Sequence, residues 1–429
     1  MNMNEPTTPS SPRRKIGIIV QRYGVQVNGG AEVHARMVAE QLARHYDVTV
    51  LTSRALDYSD WKPYYPEGPA EENGIRVLRF DNKMREPRTV QGYYGRKARG
   101  RHLVQKIHRA LGTPAWFTKL FPNAAITDHD GMRWLEAQGP AMPGLLEYLK
   151  AHEHAYTAFI SFTALYYPGA LSVLTVPRKS IFIPTMHDEK AAYIHFYRKV
   201  MAAPAWILFN TRAEQVFSQK LFPIAQVQQR IAGVGIDLLR DRLQPDPKVL
   251  SALSVKKPYL VYVGRIDSAK GCDVMIEYFL RFLKETGAGL ELVLVGKEMM
   301  SVPDHPAIIR TGFIPDERKD QLMLQASALV IPSLYESLSL VLLESFGCAV
   351  PVLANGRTEV LHDHIEASKG GWTFTDYESF KAALEDVVAK RGTQEKGEAG
   401  YRYVRDRYSW STILGYFDEA ISDIEQKTR

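Results

Sequence analysis

Apolar runs and amphipathic stretches alternate along most of the chain. KIGIIVQRYG opens as an unbroken apolar run closed by glycine, the pattern of a strand buried on both faces of a parallel sheet. After VQVNGG, the stretch AEVHARMVAEQLARHY sets Val33, Met37, Val38 and Leu42 on one helical face. DVTVLTS returns to the strand pattern, which completes a β-α-β opening. The same alternation restarts at Pro258. There PYLVYVGRI predicts a strand, GCDVMIEYFLRFLKET a helix with an apolar stripe, and LELVLVG a further strand. DERKDQLMLQAS, ALVIPS, SLSLVLLESFG and PVLANG continue it.

Two such series separated by the charged, proline-bearing LLRDRLQPDPKVLSALSVKK predict an α/β protein of two doubly wound, Rossmann-like domains. The expected organisation is a disordered tail over 1–14, a first domain over 15–240, a linker over 241–257, a second domain over 258–408 and a final helix over 409–429. Ligands of such domains bind at the C-terminal ends of the strands, in the cleft that the two domains face. A dinucleotide enzyme is disfavoured. QRYGVQVNGGAE is not G-x-G-x-x-G, and VTVLTS ends without an acid to hold a ribose.

Composition changes this picture little. At 429 residues, with 45% hydrophobic and 24% charged, the chain suits a soluble protein of two or three domains. Its two cysteines, Cys272 and Cys348, lie far apart in apolar stretches, which predicts buried thiols in a reducing compartment. MNMNEPTTPSSPRR is polar, and no run approaches a membrane span, so a cytoplasmic location is expected. Charge is more informative. Nine Lys/Arg and one acid, Glu86, fall between Lys83 and Arg109, giving this segment +8 against +6 for the whole chain. An anionic partner is expected there.

Candidate chemistry gathers in the second half. VGRIDSAKG puts Arg265 and Lys270 in the loop leaving a strand, where two fixed cations suit a diphosphate. SLYESLSLVLLESFG sets Glu336 and Glu344 in an E-x7-E arrangement around a helix expected to begin near Ser337–Ser339. The free N–H groups at that helix start would receive a phosphate, with Ser339 and Leu340 beside it. Glu344 would then address a ribose and Glu336 a sugar. The plain alternative makes Glu344 a solvent-facing helix residue and Glu336 a helix-terminus acid.

At these residues the chain resembles the retaining nucleotide-sugar glycosyltransferases of family 4, which have the GT-B fold. NGGAEVHARMVAEQLARHYDVTVLTS is similar to the family's opening, VGRIDSAKG to its diphosphate loop and ESLSLVLLE to its E-x7-E signature. YSWSTILGYF resembles the segment whose helix returns to the N-terminal domain. The resemblance implies that Arg265 and Lys270 bind the donor diphosphate, Glu344 the ribose and Glu336 the transferred sugar. It implies that Gly29 and Gly30 let the N-terminal loop approach the phosphates, and that His187 in PTMHDEKAAY lies near sugar and acceptor. Asp188 and Glu189 read alternatively as helix-start acids. Phe313 and Ile314 in RTGFIP, with LVGKEM, should line the nucleobase pocket. One departure stands out: the family's commonest form has EGFG where this chain has the bulkier ESLS.

The implied reaction moves a hexose, from GDP-mannose or a UDP-hexose, to a glycan or lipid-linked glycan acceptor in bacterial lipopolysaccharide or exopolysaccharide synthesis. Attack is expected on the same face that the leaving group departs. No cofactor is expected, and no catalytic metal: the DHD at Asp128–Asp130 precedes GMRWLEAQGP and reads as a helix start. GRKARGRHLVQKIHRALGTPAWFTKLF mixes cations with Leu103, Ile107, Leu111, Trp116, Phe117, Leu120 and Phe121, which suits an anionic membrane surface or a phosphorylated acceptor. Nucleic acid is not expected, since no recognition motif accompanies the charge. The alternatives are a nucleotide-sugar epimerase on the same fold and a non-catalytic nucleotide-sugar binder.

Overall fold

Each apolar run becomes a strand buried within a sheet. The computed structural model describes residues 13–27, 29–101, 103–111, 125–256, 258–336 and 338–428. The described residues fall into two units, the first within Met1–Ala232 together with Leu414–Arg429, the second within Gly233–Ile413.

The first unit is built on eight strands: β1 (Lys15–Ile19), β2 (Asp47–Ser53), β3 (Gly68–Glu72), β4 (Ile75–Phe80), β5 (Ala158–Phe162), β6 (Ser180–Ile183), β7 (Trp206–Phe209) and β8 (Gln228–Ile231). Their order is β3-β4-β2-β1-β5-β6-β7-β8, and every neighbour is parallel except the β3–β4 pair. The second holds β9 (Tyr259–Val263), β10 (Glu291–Val295), β11 (Ile308–Gly312), β12 (Ala328–Ile331), β13 (Val352–Asn355) and β14 (Gly371–Phe374). These run β11-β10-β9-β12-β13-β14, all parallel. In each unit the first strand lies in mid-sheet and later strands add on both sides, which opens a crevice at its C-terminal end.

The opening helix, α1 (Gly30–Leu42), buries Glu32, His34, Ala35, Val38, Ala39 and Leu42. The predicted stripe is therefore rotated: Val33 and Met37 are only half-buried. Small alanines at 35 and 39 let the backbone lie close on the sheet, and the larger side chains move to the flank.

Of the stretch expected as a linker, 241–257, the described residues 241–256 pack within the second unit. Asp246 N–H donates to Gln321 (2.7 Å) and Lys256 N–H to Glu291 (2.6 Å). The last helix, Trp410–Thr428, passes from the second unit to the first at Leu414. Its Asp418 accepts from Tyr46 (2.6 Å) and its Asp423 from Trp206 (2.8 Å), both in the first unit. Both cysteines are buried and free. No described helix is long and apolar enough to cross a membrane.

Candidate functional site

The C-terminal rim of the second sheet collects the predicted cations and carboxylates. β9 is followed by Gly264 (φ 151°), whose carbonyl lies where a Cβ on Gly296 would sit, so the loops after β9 and β10 touch backbone to backbone. Asp267 caps the turn Ser268–Lys270 through Ala269 N–H. Gly271 then adopts a left-handed conformation (φ 76°) with Pro332 O only 2.6 Å from the site of a Cβ. That contact joins the Lys270 loop to the loop after β12. The consequence is chemical: Lys270 Nζ meets Glu336 Oε1 at 3.0 Å, both half-buried. Arg265 is exposed on the same loop, with its carbonyl held by Tyr262 OH at 2.6 Å.

The helix carrying the second glutamate is α2 (Leu340–Gly347), with Ser339 as its N-cap residue. The helix thus begins just after the expected Ser337–Ser339, and Ser337 lies outside the described residues. Ser339 sits at φ 61°, ψ 70°, a left-handed conformation that a serine occupies at a cost. Its buried Oγ has no hydrogen-bond partner among the described residues. Leu340 opens the helix, where the first N–H groups lack intrahelical acceptors.

Glu344 does not face open solvent as a lone surface acid. Lys319, from α3 (Asp316–Gln325, which precedes α2 in the chain), approaches it at 3.4 Å and also meets Asp316 and Asp320. Burial pushes the Glu344 carboxyl upward, and Lys319 opposes that shift. For Lys319, burial alone would favour the neutral amine, but Glu344, Asp320 and Asp316 outweigh it and hold the proton. No sequence motif announces Lys319. On the neighbouring edge Phe313 is 74% exposed while Ile314 is buried, so only Phe313 offers a free face.

One further residue shapes this rim. His364 is buried in α4 (Glu359–Ser368), with Nε2 3.1 Å from Leu338 O and Nδ1 3.0 Å from Tyr403 OH. A carbonyl only accepts, so Nε2 carries the proton and Nδ1 accepts from the phenol. Burial lowers its pKa to about 4. A neutral imidazole therefore anchors the residue before Ser339.

In the first unit, Gly29 and Gly30 have different surroundings. A Cβ on Gly29 would fall on the Glu32 carboxylate, which pairs with Arg22 in a buried contact (2.6 Å), whereas one on Gly30 would meet nothing within 4 Å. Gly29 thus makes room for the Arg22–Glu32 pair, a role its sequence context does not suggest. His187 follows β6 through Thr185, which is left-handed at φ 50°. Its Nε2 lies 3.6 Å from Glu189, whose carboxyl burial pushes upward. The helix-start reading of Asp188 and Glu189 fails: this stretch is a turn, and Asp188 accepts from Tyr193 instead. The loop is clamped by Glu214, which accepts from Met186 N–H (2.7 Å) and Asn210 N–H (2.8 Å). Thr211-x-x-Glu214 is a readable helix-start signal, and Thr211 caps the helix Arg212–Leu221, but nothing local foretells the cross-loop clamp.

Asp128 and Asp130 do begin a helix, Asp128–Gln138, capped by Thr127. Asp130 pairs with Lys97 (3.0 Å) and Asp128 with Lys199 (3.4 Å). Trp116, Phe117, Leu120 and Phe121 lie outside the described residues; Leu103 and Ile107 are exposed.

The rim just described lies in the segment of the chain that is similar to a known family. Residues 248–402 match the glycosyl transferases group 1 family. Arg265, Lys270, Glu336 and Glu344 all fall inside the matched segment of the second unit. An alpha-maltose-1-phosphate synthase of Mycolicibacterium smegmatis is 28% identical over 194 residues, 39% of this chain and 49% of that protein. The chain thus matches about half the length of this curated relative. Sucrose-phosphate synthase from Thermosynechococcus elongatus superposes with a TM-score of 0.66 at 16% identity, over 96% of this chain and 99% of that one. The Anabaena protein HepE, solved with UDP and glucose, gives 0.63 at 14% identity, over 96% and 100%. The fold is that of the GT-B glycosyltransferases, with two parallel-sheet Rossmann-like domains and a C-terminal helix.

Proposed function

We propose that the chain is a retaining hexosyltransferase that uses a nucleotide diphosphate sugar, GDP-mannose or a UDP-hexose, as donor. The acceptor is a glycan or lipid-linked glycan of a bacterial surface polysaccharide. One observation carries the donor assignment: Lys270, Glu336 and the amide end of α2, with Glu344 on the same helix, converge at one rim inside the matched domain. UDP and glucose in the similarly folded Anabaena protein support a nucleotide sugar. The acidic sugar phosphates named in the other two relatives are compatible with a phosphorylated acceptor.

In this reading, breaking the anomeric bond places negative charge on the leaving diphosphate. Arg265, Lys270 and the first N–H groups of α2 stabilise it there, and no metal is assigned. Lys270 exchanges Glu336 for a phosphate oxygen, which frees the carboxylate to accept from sugar hydroxyls. Glu344, with Lys319 beside it, accepts from the ribose hydroxyls. Ser339 and Leu340 face the phosphates, Phe313 flanks the base with its exposed ring and Ile314 with its backbone alone, and His187 stands on the acceptor side. The acceptor hydroxyl attacks from the face the diphosphate leaves, and its proton passes to the departing phosphate oxygen.

The test is a panel of nucleotide sugars incubated with the protein, with and without acceptor extract. Nucleotide release that rises with extract is the expected result. An isomerised donor would favour an epimerase, and binding without turnover a non-catalytic binder. Lys270→Ala and Glu336→Gln should each lower turnover by about a hundredfold or more with unchanged melting, the scale of losing a transition-state contact. Full activity in both would overturn the assignment.

A further inference from the structure

The basic segment of the first unit contains charge that the donor chemistry leaves unused. Its lone acid, Glu86, is engaged by Arg133 at 3.3 Å. Lys97 is neutralised by Asp130, Arg85 donates to Gln138 at 2.8 Å, and Arg99 Nη1 donates to Lys190 O at 3.1 Å. Arg96, Arg101 and Lys106 have no ion pair among the described residues. These three, with Tyr93 and Leu103, line an open cavity of about 320 Å³. Between Glu86 and Asp128 the chain contains no aspartate or glutamate, so no neighbouring carboxylate in sequence remains to balance them.

We propose that Arg96, Arg101 and Lys106 form a phosphoryl-binding site that holds the acceptor, an inference that rests on the glycosyl-transfer function above. Arg96 closes the last turn of the helix Arg88–Ala98, and left-handed Gly100 (φ 66°) folds the chain back so that Arg101 N–H donates to Arg96 O at 2.8 Å. The two arginine residues are thereby brought together, and both line the cavity. Each presents a planar fork that matches phosphate oxygens, and a lysine adds a third charge. Like charges held together are costly without an anion. The strain registers at Arg99, whose basicity is lowered by burial and by the charges of Arg101 and Arg96.

Cavity size favours a phosphosugar or headgroup over a macromolecule, since small-molecule pockets begin at roughly 300 Å³. Tyr93 and Leu103 offer apolar surface to whatever bears the phosphate. Position also fits an acceptor. Ala98 O accepts from His195 N–H at 3.1 Å, and Arg99 is bonded to Lys190, so this helix end is tied to the segment that follows His187.

The phosphoryl group belongs either to a soluble phosphosugar or to a lipid, and one experiment separates them. Inorganic pyrophosphate is titrated calorimetrically, at constant ionic strength, into the full-length Lys270→Ala variant, whose donor cradle is disabled. The same titration follows after adding Arg96→Gln with Arg101→Gln, and separately Lys106→Gln, with melting curves to establish folding. In parallel, each protein is floated with phosphatidylcholine vesicles with and without phosphatidylglycerol. Pyrophosphate binding weakened about tenfold or more by the arginine pair supports a soluble phosphoryl ligand. Absent pyrophosphate binding, with anionic-vesicle capture lost on the same substitutions, supports a lipid-borne one. Pyrophosphate binding and vesicle capture both unaffected by the substitutions would overturn the proposal. Absence of turnover on the whole donor panel with the anion site intact would remove the transferase function and leave the site standing.

Discussion

At Ser339 the backbone adopts a conformation normally left to glycine, and its hydroxyl is buried without a described partner. The strain lies at the helix start where the diphosphate is assigned, the usual place for such an outlier. Ser339→Gly should relieve a left-handed cost of about 1–2 kcal/mol, partly offset by the added freedom of the unfolded chain. A net gain of up to about 1 kcal/mol in urea denaturation is expected, together with weaker donor binding from the lost hydroxyl. A clear loss of stability would mean that the hydroxyl has a structural partner. His364 and Glu214 are a second pair of residues whose burial, rather than type, sets their chemistry. Neither is marked by a motif that specifies its buried partners.

Elements meet here through backbone rather than side chains. Gly271 brings the loop after β9 against Pro332, and that approach alone sets Lys270 beside Glu336. Gly271→Ala would add a Cβ at 2.6 Å from a carbonyl oxygen on top of a left-handed φ. We expect a loss of roughly 2–4 kcal/mol and a rise in donor KM, read by denaturation and steady-state kinetics. A fully stable variant with unchanged KM would show that the two loops need not touch. α4 acts on the same rim through His364, and its protonation gives a pH test. Its folded pKa, about 4, lies below the ordinary 6.5. The unfolded chain therefore binds the proton first, and stability falls as pH drops from about 6.5 to 4, by up to about 3 kcal/mol. Glu214 has the opposite sign. Burial raises it to about 8, so the folded state retains the proton longer and stability falls as pH rises from 4.5 to about 8. His364→Phe should flatten the acidic dependence and Glu214→Gln the alkaline one. Unchanged profiles would mean that neither group titrates as its burial requires.

For the whole molecule, the last helix decides integrity. Phe417, Ile421 and Ile424 are fully buried, and Asp418 and Asp423 receive hydrogen bonds from Tyr46 and Trp206. Each such apolar side chain contributes about 1.5–3 kcal/mol, comparable in sum to a domain's net stability. Truncation after Ile413 should therefore abolish or strongly lower the first unit's melting transition and leave the second unit's in place. Two unaltered transitions would show that the helix is dispensable.

Strand runs, helix periodicity, the two α/β series and the E-x7-E spacing were legible along the chain, because buried parallel strands demand continuous apolar runs and helices demand a 3.6-residue period. The surplus of cations over 83–109 was legible for the same reason: charge is a property of composition. The rotation of the α1 stripe, the packing of 241–256 within the second unit and the ties of Lys319 to Glu344 and of Glu214 to two loops were not. Each depends on which distant segments meet, and local sequence constrains a residue's conformation far more strongly than its partners across the fold. Tertiary structure alone therefore decided which carboxylates are paired, which histidine stays neutral and which three cations are left facing an open cavity.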